Sequence, residues 1–262
     1  MRHPYIGITD FETIKQVNGM LNVFEKAQKE LLNSIKYKLM IGLMISYKTL
    51  NGMPSKWSSI WVPKENIKDL FIDHPLAYDA LHYADYDGKT ETKHLVSAVG
   101  YGGKNIHALQ LDMIWPSSEM LSELKREYPK IDIVLQVSTP ALAQVGDDPV
   151  RLIKRLEKYE GLVDFVLLDK SMGRGKGMDA FGLMPFVEAI INSTLSLNIT
   201  FAGGLGPDTL HLGQPLVNKY SGLSIDAQAQ LTLTGNAMDP IDWTRAAKYL
   251  YKALKMFSMG KM

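Results

Sequence analysis

The chain has 262 residues, of which 46% are hydrophobic and 22% charged, enough to bury the core of one large α/β domain and too apolar for disorder. Its 29 basic and 28 acidic side chains leave a formal net charge of +1, which gives no electrostatic reason to expect nucleic acid or an anionic membrane as partner. There is no cysteine, so disulfides, thiolate metal sites and a cysteine nucleophile are excluded.

Short apolar runs alternate with longer amphipathic segments from end to end. Strands are predicted near residues 5–9, 38–46, 80–85, 106–112, 131–137, 163–169, 198–203 and 222–227. Helical patterns follow them at 11–36, 64–71, 91–99, 117–128, 149–159, 180–192, 207–217 and 241–257. Helix starts are marked by Ser117-Ser118-Glu119, Asp147-Asp148-Pro149, Pro207-Asp208 and Asp239-Pro240-Ile241-Asp242. Strict βα alternation argues for parallel strands, and at this length a single-domain (β/α)8 TIM barrel over residues 1–262 is the natural closure, with a doubly wound open sheet as the rival. The most apolar run, residues 39–45, is too short to span a bilayer. No signal peptide is visible after Met1-Arg2-His3-Pro4, so a cytoplasmic location is expected.

The most informative stretch is 163–179, VDFVLLDKSMGRGKGMD. A β-branched strand ends there in a carboxylate, Asp169, and opens into a basic, glycine-rich loop containing Gly175 and Lys176. A charge at the end of a buried strand needs a task or a partner. Asp169 is therefore read as a general acid or ligand-binding group, with an ion pair to Lys170 or Lys176 as the structural alternative. The loop reads as a lid over an anion. Gly203-Gly204 is read as close backbone approach to an anion, against a tight turn before Pro207. Asp85, Asp112 and Asp226 end or follow other strands, and if they converge with Asp169 they raise one another's pKa or recruit a divalent cation. The cation is the less favoured outcome: no metal ligand set is assigned and no cofactor is expected. The histidines show no HxH or HExxH spacing. Trp57 and Trp61, in a long loop after the second strand, either stack a ring-bearing ligand or cover the mouth.

Several of these segments resemble the phosphoribosylanthranilate isomerase family of ribulose-phosphate-binding barrels. The family's L-D…G-x-G-K-x-x-D-W is similar to Leu168-Asp169…Gly173-Arg174-Gly175-Lys176-Gly177-Met178-Asp179-Ala180. Its A-G-G-L-x-P-x-N is similar to Ala202-Gly203-Gly204-Leu205-Gly206-Pro207-Asp208-Thr209. Its V-D-V-S-S-G appears as Ile225-Asp226-Ala227-Gln228-Ala229-Gln230, and its C-G-I-T as Ile6-Gly7-Ile8-Thr9. The resemblance is most specific over residues 163–254 and moderate over 5–10. It implies the barrel, acid–base isomerase chemistry with Asp169 as general acid, and a small anionic, phosphorylated sugar-like metabolite as partner. It also implies an anion cup of Gly203, Gly204 and Gln228 with Gly175 and Lys176 closing over it.

Three positions depart from the family. Ile6 stands where the cysteine general base would be, so Asp112 or Asp226 is expected to supply the base. Ile60 stands where an arginine for the substrate carboxylate is expected, with Lys48 or Lys56 as substitutes. Gln228-Ala229-Gln230 replaces the phosphate-cradling S-S-G. The alternative expectation is a non-catalytic barrel that binds a ligand or partner protein. A homo-oligomer is left open.

Overall fold

The computed structural model describes residues 2–31, 37–170 and 177–260. Among them, parallel strands β1 (Tyr5–Thr9), β2 (Lys38–Ser46), β3 (Ala77–Ala84), β4 (Ala108–Asp112), β5 (Asp132–Ser138), β6 (Phe165–Asp169), β7 (Asn198–Ala202) and β8 (Ser224–Ala227) pair in sequence order, and β1 closes on β8. This is a (β/α)8 barrel, as the alternation predicts. Helices α1 (Ile14–Leu31), α2 (Tyr47–Leu50), α3 (Thr92–Gly102), α4 (Ser118–Glu127), α5 (Thr139–Gln144), α6 (Pro149–Leu156), α7 (Ala180–Ile191), α8 (Gln214–Lys219) and α9 (Trp243–Met259) connect or follow the strands. The last helix packs on the first, where the Tyr251 hydroxyl donates to Glu30 at 2.8 Å. No helix of the described residues is long and apolar enough to cross a membrane.

Alternation along each strand sorts side chains into two cores. Outward residues such as Ile6, Ile8, Leu39, Ile41, Leu81 and Leu109 join helix residues such as Phe24, Leu95 and Leu250 in one continuous cluster. Inward residues Tyr5, Met40, Tyr78, Ala80, Ala108, Val134, Phe165 and Leu167 form a separate cluster inside the barrel. The Tyr5 ring stacks on Tyr78 at 5.3 Å and tilts against Phe165 at 5.4 Å, so aromatic rings plug the amino-terminal end. Around that plug the Tyr78 hydroxyl donates to Asp132 at 2.9 Å, and Arg2 bridges Asp132 and Asp164 at 2.6 Å each. Lys125 adds a second 2.6 Å ion pair to Asp164. With this end filled, the carboxyl ends of the strands are the open face.

Several boundaries differ from the sequence pattern for identifiable reasons. The third strand begins at Ala77 rather than residue 80, because Asp79 is fully buried within it. The Ile72 amide donates to Asp79 at 3.2 Å and His107 lies 3.6 Å away, so a charge that reads as loop is accommodated in a strand. The helical segment at 64–71 is a 3-10 helix, Lys64–Asp69, preceded by the four-residue α2. The segment at 207–217 divides into a 3-10 helix, Leu210–Gly213, and α8, which restarts with Pro215 in its first turn. The first helix starts at Ile14, and residues 32–36, predicted as its end, lie outside the described residues. A short α5 follows β5 directly, a helix the pattern did not mark.

Gly7 connects the barrel interior to the open face. A Cβ there would lie 2.5 Å from Met40 Cε and 2.6 Å from Asp226 Oδ1, so the glycine makes the room in which the Asp226 carboxyl sits. Gly7→Ala is expected to destabilise the fold by about 1–3 kcal/mol, the range typical of overpacking. A reduced urea midpoint at unchanged slope checks it.

Candidate active site

All eight strands contribute to one cavity of about 860 Å³ at the carboxyl-terminal face. Thr9, Met44, His82, Gln110, Gln136, Leu167, Ala202 and Asp226 line it, one from each strand in turn. Around them stand Asp112, Ser138, Asp169, Gly203, Gly204 and Gln228. The predicted residues Asp112, Asp169, Asp226, Gly203, Gly204 and Gln228 are thus brought together on one surface. Gly175 and Lys176 lie outside the described residues.

Asp226 is the deepest of the carboxylates. Burial pushes it up to about 7, Thr9 and the Ala227 amide pull it down, and the charges of Asp169 and Asp10 push it further up. The Thr9 hydroxyl donates to it at 3.2 Å. Asp112 is raised to about 6 by burial, opposed by the hydroxyl of Tyr86 and reinforced by Asp169. Tyr86 donates to it from a largely exposed ring. Asp10 is also raised to about 6 by burial, against a hydrogen bond from Gln228 and with a contribution from Glu12. Desolvation therefore dominates at all three, and like charge adds to it.

Asp85 has a different role. It accepts from the amides of Asp87, Gly88, Lys89 and Thr90 and from the Thr90 hydroxyl, at 2.6–3.1 Å. Burial works against it, but the Thr90 hydroxyl and these amides hold its pKa below the usual range. It organises the loop after β3 as an internal cap. Among the described residues, no three histidines, aspartates or glutamates are placed to hold a metal ion.

The anion-cup residues form the wall around β7 and β8. Gly203 and Gly204 have φ of 103° and 65°, backbone that glycine takes without strain, and together they present bare main chain at the cavity edge. The Gln228 side-chain amide donates to Asp10. The lysines lining the cavity are Lys48, which pairs with Asp87 at 3.2 Å, and Lys56, whose ammonium lies 4.8 Å over the Trp57 ring. Trp57 in turn stacks on the buried Trp61 at 4.9 Å. Lys170 bonds to the Gly182 carbonyl at 3.3 Å and sits over the Phe186 ring. Ile60 does not line this cavity but a shallower one beside Ser59 and Val62.

One comparison drawn from the sequence takes a different meaning in three dimensions. Ile6, set against the family's cysteine, is fully buried in the outer core among strand and helix side chains. The residue that β1 presents to the mouth is Thr9, and Asp10 follows it at φ 79°. The isoleucine therefore leaves no inert gap in the cavity. Asp10 has no sequence signal, since its strained backbone is visible only in the fold. The polar floor had one: Gln110 lies between Leu109 and Leu111 and Gln136 between Leu135 and Val137, each a polar residue breaking an apolar strand.

No family model matches the chain, and no curated protein matches it. Solved structures do. Phosphoribosyl anthranilate isomerase from Thermus thermophilus superposes with a TM-score of 0.60 at 11% identity, over 95% of this chain and 98% of that one. N-(5'-phosphoribosyl)anthranilate isomerase from Pyrococcus furiosus gives 0.60 at 14%, over 96% and 98%. A structure described as "QR15, an Aldolase" gives 0.53 at 12%, over 96% and 93%. At such identities the likeness establishes the common barrel and nothing finer.

The buried carboxyl makes stability fall as pH rises. Folding lifts Asp226 from the ordinary 3.8 to about 7, so the folded state holds its proton where the unfolded chain has released it. The associated stability is full below about pH 4 and is lost on rising through about 7. Asp226→Asn is expected to raise stability at pH 8 by about 2–4 kcal/mol, at 1.36 kcal/mol per pKa unit, and to leave it nearly unchanged at pH 4. Denaturant unfolding of both proteins at the two pH values checks this.

Proposed function

We propose that the mouth is an active site for isomerase-type proton transfer on a small sugar-like metabolite bearing an anionic, phosphate-like end. The observation that carries this reading is the gathering of Asp112, Asp169 and Asp226 at the carboxyl-terminal face, with two of them titrating near neutrality. Moving a carbonyl along a carbon chain requires one group to take a proton from carbon and another to deliver one to oxygen. Near neutral pH Asp112 is mainly ionised and serves as the base. Asp226 retains its proton in part and serves as the acid. Asp169, whose charge raises both, lies half-buried between solvent and cavity and contacts the reacting end.

The anionic end is assigned to Gly203, Gly204 and Gln228, with Gly175 and Lys176, which follow β6 in the sequence, as further ligand contacts. Two consecutive glycines with left-handed backbone support this assignment, because bare main chain can approach an anion closely. Resemblance of the loop and strand-end motifs to phosphoribosylanthranilate isomerases supports it further.

A thermal-shift screen of pentose and hexose phosphates identifies a stabilising ligand, and incubation with it in D2O reads the chemistry by loss of a C–H signal in the proton NMR spectrum. Exchange is expected, with a maximum between pH 6 and 7: protonation of Asp112 removes the base below that window, and ionisation of Asp226 removes the acid above it. Asp112→Asn and Asp226→Asn are each expected to slow exchange at least 100-fold. Ligand stabilisation without any exchange would sink the catalytic reading and leave a ligand-binding barrel.

A further inference from the structure

Among the described residues, two polar atoms on the floor of the cavity meet no partner. His82 Nε2 on β3 and Gln110 Oε1 on β4 are buried and make no hydrogen bond, although both residues line the cavity and are only 3% exposed. The two residues pair in register on adjacent strands, so the orphaned groups arise side by side. Each such atom is destabilising if nothing ever meets it. Two together in a functional cavity point to a partner that arrives from outside.

The surroundings hold both groups in place. Gln110 Nε2 donates to Gln136 Oε1 at 3.3 Å, which fixes the Gln110 amide and leaves Oε1 as its unmet end. At Gly42 a Cβ would lie 2.6 Å from Thr9 Oγ1 and 3.1 Å from His82 Nε2, so the absent side chain makes space for the imidazole tip. Burial depresses His82 to about 3, and the ring is neutral at physiological pH. This wall therefore offers an acceptor and a neutral imidazole to the cavity that Asp112, Asp169 and Asp226 also line.

We infer that His82 and Gln110 form a hydroxyl-recognition subsite that holds the uncharged polyol segment of the ligand, across the barrel from the Gly203-Gly204 wall. Hydroxyls suit both groups: they donate to Gln110 Oε1, which can only accept, and they match imidazole Nε2 in either tautomer. An anionic segment is disfavoured here by the carboxylates. β3 and β4 stand opposite β7 and β8 in the closed order, so an elongated ligand can span the two walls. This inference rests on the mouth being a ligand site, as proposed above, and supplies the chemical class of the end that site leaves undefined.

Isothermal titration with glycerol, ribitol and sorbitol, and with inorganic phosphate, tests it. Wild-type protein is expected to bind at least one neutral polyol. His82→Phe and Gln110→Met are expected to weaken polyol binding at least tenfold and to leave phosphate binding unchanged. In the wild type, the ¹⁵N resonance of His82 Nε2 should shift on polyol addition and not on phosphate addition, a readout that requires no variant to fold. Binding of polyols by the variants as by wild type would show that water alone meets these atoms, and would overturn the inference. No response to any polyol would do the same. Phosphate binding without polyol binding would remove this subsite and keep the anionic end; polyol binding without phosphate binding would do the reverse.

Discussion

Placing the Asp226 carboxyl inside a parallel barrel, where desolvation opposes its charge, is the constraint that shapes the rest of the site. Among the described residues its hydrogen bonds come from Thr9 and the Ala227 amide, and no ion pair is made to it. An ionised carboxylate in such surroundings would be expensive, so the group keeps its proton to higher pH instead. Neighbouring features accommodate it. Gly7 withholds a side chain so that the carboxyl fits, Thr9 turns its hydroxyl toward it, and the strands close below on apolar side chains. The amino-terminal end is closed, with three aromatic rings and the Arg2–Asp132–Asp164–Lys125 ion pairs filling and binding the barrel.

Charges in the chain are consequently handled in two ways. Asp132 and Asp164 meet cations at the filled end, and Asp85 is enclosed by its own loop amides. Among the described residues Asp112 and Asp226 have only one or two neutral donors instead, too few to offset their burial. The first arrangement gives stability, and the second gives groups that change protonation near neutral pH. A barrel built for stability alone would treat all five alike.

The architecture was legible because parallel strands buried on both faces read as near-continuous apolar runs, separated by helix-start signals such as Asp148-Pro149 and Asp242. The strand-end carboxylates were legible for the same reason, each closing an apolar run. What escaped was set by contacts between distant segments. Asp79 reads as loop until Ile72 and His107 come to meet it, and Asp10 reads as an ordinary strand-end residue until its backbone is seen at φ 79°. Motif comparison placed Ile6 in the site because residues 6–9 match a family segment letter for letter at three of four positions. Pleat decides otherwise: with Tyr5 and Thr9 inward, Ile6 must face the helices. Matching letters fixed the segment but not the side of the sheet.

That correction alters how the isoleucine at this position is understood. Had Ile6 faced the cavity, an apolar side chain would stand where proton transfer requires a base, and degeneration to a binding protein would follow naturally. Instead the cavity carries more titratable groups than an acid–base pair needs, and they differ in depth and in partners. Asp226 is the most buried and holds its proton longest; Asp112 is tempered by a hydroxyl from an exposed ring; Asp169, half-buried, raises both by its charge. Two carboxyls whose environments separate their pKa values, with a third acting on each, can divide proton removal from proton delivery without a thiol. The neutral His82 and Gln110 on the floor fit the same economy. Further charge there would lift the carboxylates out of the neutral range or drive them down, whereas uncharged groups can recognise a ligand and leave their titration intact.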